Sequence, residues 1–351
     1  MKRHIAAAAF CAFSIALPAQ QPKIDNTQLT VEQVTGNLAS TVDRFRHSKD
    51  RVWIGYEVPA LPESHLSTCS YESNGWQSDD SCCGEYQLED DDHGMNRSRS
   101  APVAHNIDVL LRLEDGDLVK VRSVVAGCRL DAGGVNFDWL TGVKPEDSIT
   151  FLAGLAGEQS EPHRVSEGAL LAISLHAAPE ATRSLEQIAL TGETTHTREQ
   201  AAFWLGVQRG HEGFLALESL KNKSTDTEFR AKLAFDFAQN SDPGAEDELL
   251  SMAKSDPEAK VREQAIFWVA QKAGKKAVAA ITDAIQNDPE TEVKKKAVFA
   301  LSQLPKDEGV PQLIHVADTN SNPAVRKDAF FWLGQSHDPR ALAYLEQILK
   351  R

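Results

Sequence analysis

The chain is short of cysteine, of positive charge and of long apolar runs. Its 351 residues hold 5 Cys and 3 Met, and 37 Lys and Arg stand against 51 Asp and Glu. The net charge of -14 repels nucleic acid and anionic lipid, so neither is an expected partner. After the first twenty residues no stretch approaches membrane-spanning length without charges. There is no GxSxG, no HExxH, no Walker loop and no GxGxxG. The 11 His are scattered, and most read as surface or helix-end residues. These absences argue against an enzyme, a cofactor or a metal centre. A content of 41% hydrophobic and 25% charged residues fits a globular chain rather than a disordered one.

The exception is the start. Lys2 and Arg3 precede "HIAAAAFCAFSIALPA", with small residues at Ala16 and Ala19. This reads as a signal peptide over residues 1–19, too short for a stable anchor, and places the mature chain in the periplasm or outside the cell. The bulky Phe10 before Cys11 speaks against lipidation there. Cleavage removes two basic residues and no acid, so -14 becomes -16. Cys69, Cys82, Cys83 and Cys128 remain, an even count that suggests disulfides in an oxidising compartment, with three pairings open. A ring between the adjacent Cys82 and Cys83 is strained, so each is expected to pair with Cys69 or Cys128. The CxxC spacing of metal or redox sites is missing.

What is abundant is repetition. "TREQAAFWLG" at Thr197 returns as "FRAKLAFDFA", "VREQAIFWVA", "VKKKAVFALS" and "VRKDAFFWLG" at Phe229, Val261, Val293 and Val325, after "VSEGALLAIS" at Val165. The six copies stand 32 residues apart with no insertion or deletion. A second apolar column runs Leu185, Leu217, Leu249, Ile281, Leu313 and Leu345, with Ile188, Leu220, Met252, Ala284, Val316 and Ile348 three residues further on. Those spacings give one apolar helix face. Asp-Pro and Asn-Pro steps separate the helices, the Asp or Asn ending one and Pro starting the next. Helix pairs of this kind cannot bury their apolar faces alone, so the pattern predicts a mostly α chain with an α-solenoid over residues 141–351.

The pattern "DPEAKVREQAIFWVA" resembles the HEAT repeat, in particular the short bacterial variety similar to phycobilisome lyase HEAT-like repeats. The residues that carry the likeness are Asp256, Pro257, Val261, Arg262 and Ala265, and again Asp288, Pro289, Val293, Lys294 and Ala297. It covers roughly residues 145 to 351. The first copy departs most, with Ser166 for the basic residue and Leu171 for Phe. The resemblance implies about six HEAT-like helix pairs, a concave surface lined by the second helix of each pair, and an Arg ladder reaching the loop carboxylate of the adjacent repeat. It implies no particular activity; the chromophore chemistry of the lyases does not suit an exported chain.

One column departs from that pattern. Its seventh place, often polar, is here Phe203, Phe235, Phe267, Phe299 and Phe331, with Trp204, Trp268 and Trp332 beside alternate copies. At about 100° per residue from Val261, Ala265, Val269 and Trp268 define the buried arc, while Phe267 falls at about 240°, on the far side. Two uses are open for these rings. They can pack into the seam between repeats, or stay open as an apolar stripe that anchors a peptide or protein.

Residues 20–140 lack the period and predict a small, disulfide-linked α+β domain. Val31, Val34, Leu38, Val42 and Phe45 stand at helical spacing, predicting a helix over residues 29–47, and "VWIGYEVP" reads as a strand. "IDVLLRLEDGDLVKVRSVVAGC" reads as a hairpin with one buried side. Its expected loop is Glu114-Asp115-Gly116, because a two-residue loop would set Leu111 against Lys120 and mix the faces. "EDDDHG" at Glu89 matches no calcium loop and reads as a solvated acidic loop. The glycines of "GCRLDAGG" serve a tight turn. Taken together, the sequence points to an exported, non-enzymatic scaffold that binds a protein or peptide. The alternatives are a ligand- or envelope-binding front domain with the solenoid as spacer and, behind it, an uncharacterised enzyme or lyase-like protein that uses the cysteine-rich front.

Overall fold

A computed structural model describes residues 22–62, 85–89, 95–96, 105–157, 163–272 and 274–350. The expected signal peptide and Cys69, Cys82 and Cys83 lie outside these residues.

The front part is a β-sandwich backed by helices. One sheet has the order β2 (Leu29–Gln33), β9 (Asn136–Thr141), β3 (Val52–Pro59), β6 (Asn106–Glu114) and β7 (Asp117–Val125). A smaller sheet has the order β1 (Lys23–Asp25), β8 (Arg129–Asp131), β4 (Glu85–Gln87) and β5 (Met95–Asn96). The helix expected over residues 29–47 is corrected. Its first part is strand β2, and α1 spans Leu38–Ser48, capped by Asn37, whose Oδ1 accepts the Ser40 N–H at 2.8 Å. Pairing Leu29 with Phe137 and Val31 with Trp139 outweighs the helical spacing in that stretch.

The hairpin is corrected as well. Its turn holds two residues, Asp115 and Gly116, both at positive φ. A register shift beside Arg112 then leaves Val119 unpaired and sets Leu111 opposite Val121. This bulge restores the facial match that a two-residue loop would otherwise lose. Nor is one side exposed, for Ile107 to Leu113 are all buried. Ile107, Val109 and Leu111 join the main core, while Leu110 joins Trp53, Phe137, Trp139 and Leu130 between the two sheets.

Beyond Thr141 thirteen helices follow among the described residues. An outer layer comprises α2 (Pro145–Gly157), α4 (Glu180–Thr191), α6 (Gly210–Lys223), α8 (Pro243–Ser255), α10 (Gly274–Asn287), α12 (Lys306–Thr319) and α14 (Pro339–Leu349). Between them run α3 (His163–Leu175), α5 (Thr195–Gln208), α7 (Thr227–Gln239), α9 (Ala259–Lys272), α11 (Thr291–Gln303) and α13 (Pro323–Gln335). Pro243, Pro323 and Pro339 open their helices behind capping Asp242, Asn322 and Asp338. Pro257 and Pro289 instead sit in turns two residues ahead of α9 and α11. The fifth-place residues Ala169, Ala201, Leu233, Ala265, Ala297 and Ala329 are fully buried, as the repeat demands.

The two parts share one core. α3 lies on β7 so closely that a Cβ on Gly168 would stand 2.3 Å from the Val121 carbonyl oxygen. The end of β3 continues the contact: Leu61 N–H donates to the Leu175 carbonyl and Ala177 N–H to the Pro59 carbonyl, each at 2.9 Å. A single apolar cluster therefore runs from Leu38 to Ala341.

Candidate functional site

Successive helices of the α3 to α13 layer pack on one another more closely than those of the α2 to α14 layer. The closer-packed layer lies on the inside of the curve, and the eight aromatic residues singled out by the repeat lie on it. They form one ladder across five helices. Trp204 meets Phe203 at 4.9 Å, Phe203 stacks on Phe235 at 5.9 Å and 8°, and Phe235 meets Trp268 at 4.7 Å. The motif then repeats. Trp268 meets Phe267 at 4.9 Å, Phe267 stacks on Phe299 at 6.0 Å and 3°, and Phe299 meets Trp332 at 4.9 Å. Phe331 closes the series against Trp332 at 5.0 Å.

The alternation of tryptophans now has a physical account. A helix with Phe and Trp, such as α9, makes an edge contact within itself. A helix with Phe alone, such as α11, receives the Trp of the following repeat. Each contact adds about 0.5–1.5 kcal/mol beyond area burial. The rings are half-buried apart from Phe331, which is 56% exposed. The helical angle of Trp268 puts it within the buried arc; in the fold it stands at the margin. The buried arc of α9 is Val261, Arg262, Ala265, Ile266 and Val269.

Lys296 escapes the sequence argument, and Asp236 enters it only as a residue between the tryptophans. Lys296 lies over Phe267 and Phe299, its Nζ 5.2 Å from each ring centroid. Asp236, where α5 and α9 carry Trp, is buried, and burial holds its carboxyl well above the usual carboxylate range. The signal for both was present in the columns, as a Lys at the fourth place and an Asp at the eighth.

The Arg ladder takes the form that the resemblance implies in its first three members. Arg198 reaches Asp226 at 3.4 Å, Arg230 reaches Asp256 at 2.9 Å, and Arg262 grips Asp288 at 2.7 and 3.0 Å. Lys294 finds Asn320 where Asp288 stood and donates instead to the Gln286 carbonyl. Arg326 donates to the Asn320 carbonyl.

The front part holds two polar networks. Glu89 Oε1 accepts from Trp53 Nε1 at 2.7 Å and from Arg112 Nε at 2.8 Å, and Oε2 accepts from Arg51 at 2.6 Å. Although burial opposes it, these donors hold the Glu89 carboxyl at about 2. Glu89 is thus a clamp between the sheets rather than a solvated residue, and the rest of the acidic run, residues 90–94, lies outside the described residues. The other network holds a histidine that departs from the surface and helix-end placement expected of most. His176 is fully buried, its Nε2 2.9 Å from Ser148 Oγ, which lies 2.8 Å from Tyr56 Oη. Nδ1 faces the Ala172 carbonyl at 2.7 Å, and burial, then Arg209, lower the imidazole to about 4. This Ser–His pair is sealed in the joint between sheet and solenoid.

Elsewhere, a cavity of about 710 Å³ opens between α8 and α10, where Ala284 is the smallest member of its column. Among the described residues no group of three His, Cys, Asp or Glu is placed to hold a metal, and no helix is long and apolar enough to cross a membrane.

Comparison with known proteins bears on the helical part. Human deoxyhypusine hydroxylase in complex with glycerol is 18% identical over 58% of this chain and 90% of its own, with a TM-score of 0.31. The CpcE–CpcF complex of phycocyanin lyase from Nostoc sp. PCC7120 is 21% identical over 44% of this chain and 99% of its own, with a TM-score of 0.35. Kap121p is 12% identical over 58% of this chain and 27% of its own, with a TM-score of 0.38. No curated protein matches. The family described as HEAT repeats matches residues 215–301 and 278–351, so this C-terminal part of the chain consists of HEAT repeats.

Proposed function

We propose that the protein is an exported, non-enzymatic scaffold that binds a protein or peptide along the inner face of its solenoid. The observation that carries this reading is the ladder of eight half-open rings, Phe203 to Trp332, continuous across five helices. Most of the ring contacts serve cohesion between repeats, and the edge left open supplies the anchor for a partner. The basic start of the chain and its short apolar run support export to the periplasm or beyond. Cys128, buried and disulfide-bonded, supports disulfides as ties for the front part, with Cys69, Cys82 and Cys83 as the candidate partners. The front sandwich acts as a cap on the first helix pair, which its shared core with α2 and α3 favours over a separate ligand module.

The test is capture from an envelope extract with the wild type and with Phe235→Ser/Phe267→Ser/Phe299→Ser, followed by rebinding of the purified partner in solution. Loss of rebinding with an unchanged circular dichroism melt is the expected result. Unchanged rebinding by a folded triple variant ends the reading. If that variant fails to fold, Phe331→Ser alone, at the most exposed ring, repeats the test.

A further inference from the structure

The partner's chemistry can be read from charge, provided the inner face is the docking surface. The chain as a whole is acidic, at -14, yet its charges are segregated. Helices α9, α11 and α13 hold eight Lys and Arg against three Asp and Glu. The outer helices α8, α10, α12 and α14 reverse this, with five against eight. The earlier inner helices α3, α5 and α7 balance at four each. The basic excess therefore lies on the inner helices of the last three repeats, which also carry Phe267, Phe299 and Phe331.

Part of that charge is already committed. Arg262 is held by Asp288, Lys260 by Glu228 and Lys295 by Glu292, and Lys272, Lys294 and Arg326 donate to backbone carbonyls. Lys296 and Lys327 form no ion pair with a described carboxylate. Lys296 rests over two stacked rings, and Lys327, exposed, precedes Phe331 by one helical turn. Lys296 thus stands against two rings of the ladder, and Lys327 shares a helix face with Phe331, its most exposed ring. A carboxylate beside a large apolar side chain satisfies both at once.

We propose that the inner face from α9 to α13 binds an extended acidic peptide segment in which Asp or Glu alternates with large apolar residues. A single-stranded nucleic acid also brings negative charge, but it needs open ring faces as stacking platforms. Here Phe203 with Phe235 and Phe267 with Phe299 turn their faces on each other, and Lys296 overlies the second pair.

The experiment uses the full chain and fluorescein-labelled peptides in an anisotropy titration: repeating Asp-Phe-Glu-Leu, repeating Lys-Phe-Lys-Leu and repeating Asp-Ser-Glu-Ser. At about 0.1 M salt the first is expected to bind about tenfold tighter than either other, and the gap is expected to narrow at about 1 M. Lys296→Glu is expected to weaken it about tenfold. Lys254→Glu, the same charge change on outer helix α8, should leave binding unaltered. Equal binding of acidic and basic peptides overturns the proposal. So does an equal effect of the two substitutions, or displacement of the peptide by oligo-dT. If peptide preference fails while rebinding of the captured partner still depends on the Phe residues, this inference alone falls. If both fail, the docking surface falls with it.

Discussion

The front sandwich and the solenoid bury apolar surface by opposite routes. In the solenoid each helix pair touches only its neighbours, and the same few contacts recur every 32 residues. In the sandwich, strands that touch are far apart in the chain: β1 lies parallel to β8, β2 to β9 and β4 to β8. A repeat spreads its stability over many similar interfaces. A sandwich concentrates it in a few irreplaceable side chains. Yet the shared core makes the two regions one packed body, so damage to either should be felt by both.

The largest expected effects come from one residue in each region. Trp53 fills the space between the sheets with none of its surface exposed and donates to Glu89. Trp53→Ala should cost about 3–5 kcal/mol. Arg262→Ala should cost a similar amount, about 3–5 kcal/mol, because Asp288 is left buried without its partner. In both variants helical ellipticity and tryptophan fluorescence should be lost together on heating. Separate transitions in Trp53→Ala would show that the front unfolds alone and that the shared core does not couple the regions.

The joint between the regions gives the next effect. His176 titrates at about 4 in the fold and at 6.5 when free. Between those values the unfolded chain binds the proton and the fold does not, so stability is complete above pH 6.5 and falls as pH drops toward 4. The full loss is on the order of 3 kcal/mol, because each tenfold change in proton affinity corresponds to about 1.4 kcal/mol. Denaturant titrations at several pH values should show a flatter slope in this window for His176→Gln. Parallel slopes would remove the imidazole from the account.

Asp108 on β6 should show the reverse sign. Burial first, then Glu57, pushes its carboxyl up to about 8, and Oδ1 has no hydrogen-bond partner. The fold keeps the proton that the unfolded chain gives up above about 3.8, so this residue takes away stability as pH rises from 3.8 to 8. Asp108→Asn should therefore stabilise the chain at pH 8, by about 1–3 kcal/mol, and less at pH 5. A destabilised variant at pH 8 would mean that the carboxylate has a use.

How far each region can be read from sequence follows from the same contrast. The solenoid is written six times, so Ala265 or Leu249 is confirmed by its counterparts in every other copy. The eight ladder rings were legible for that reason. Lys296 and Asp236 were not, because each occurs where its column varies. In the front, the spacing of Val31, Val34 and Leu38 is as helical as that of any true helix. Nothing local reveals that Val31 lies beside Trp139. The hairpin failed by a subtler margin, since parity fixed the faces correctly while a turn one residue shorter and one bulged residue together shifted the register by two. Glu89 looked solvated because its three donors come from β3, β6 and the turn before β3, none of them near it in sequence.

The smallest effect sharpens the comparison from within the repeat. Arg198 makes the first contact of the Arg ladder, but at 3.4 Å and with its partner Asp226 40% exposed. Arg262, two repeats later, makes the bidentate, buried version of the same contact. Arg198→Ala should cost under about 1 kcal/mol, as exposed pairs do. If the measured cost in a denaturant titration matched that of Arg262→Ala, the ladder would act as a cooperative unit rather than as separate ion pairs. With unequal costs, solvent access alone grades the ladder. A perfect sequence repeat would then conceal an energy gradient that rises from the capped end of the solenoid toward its middle.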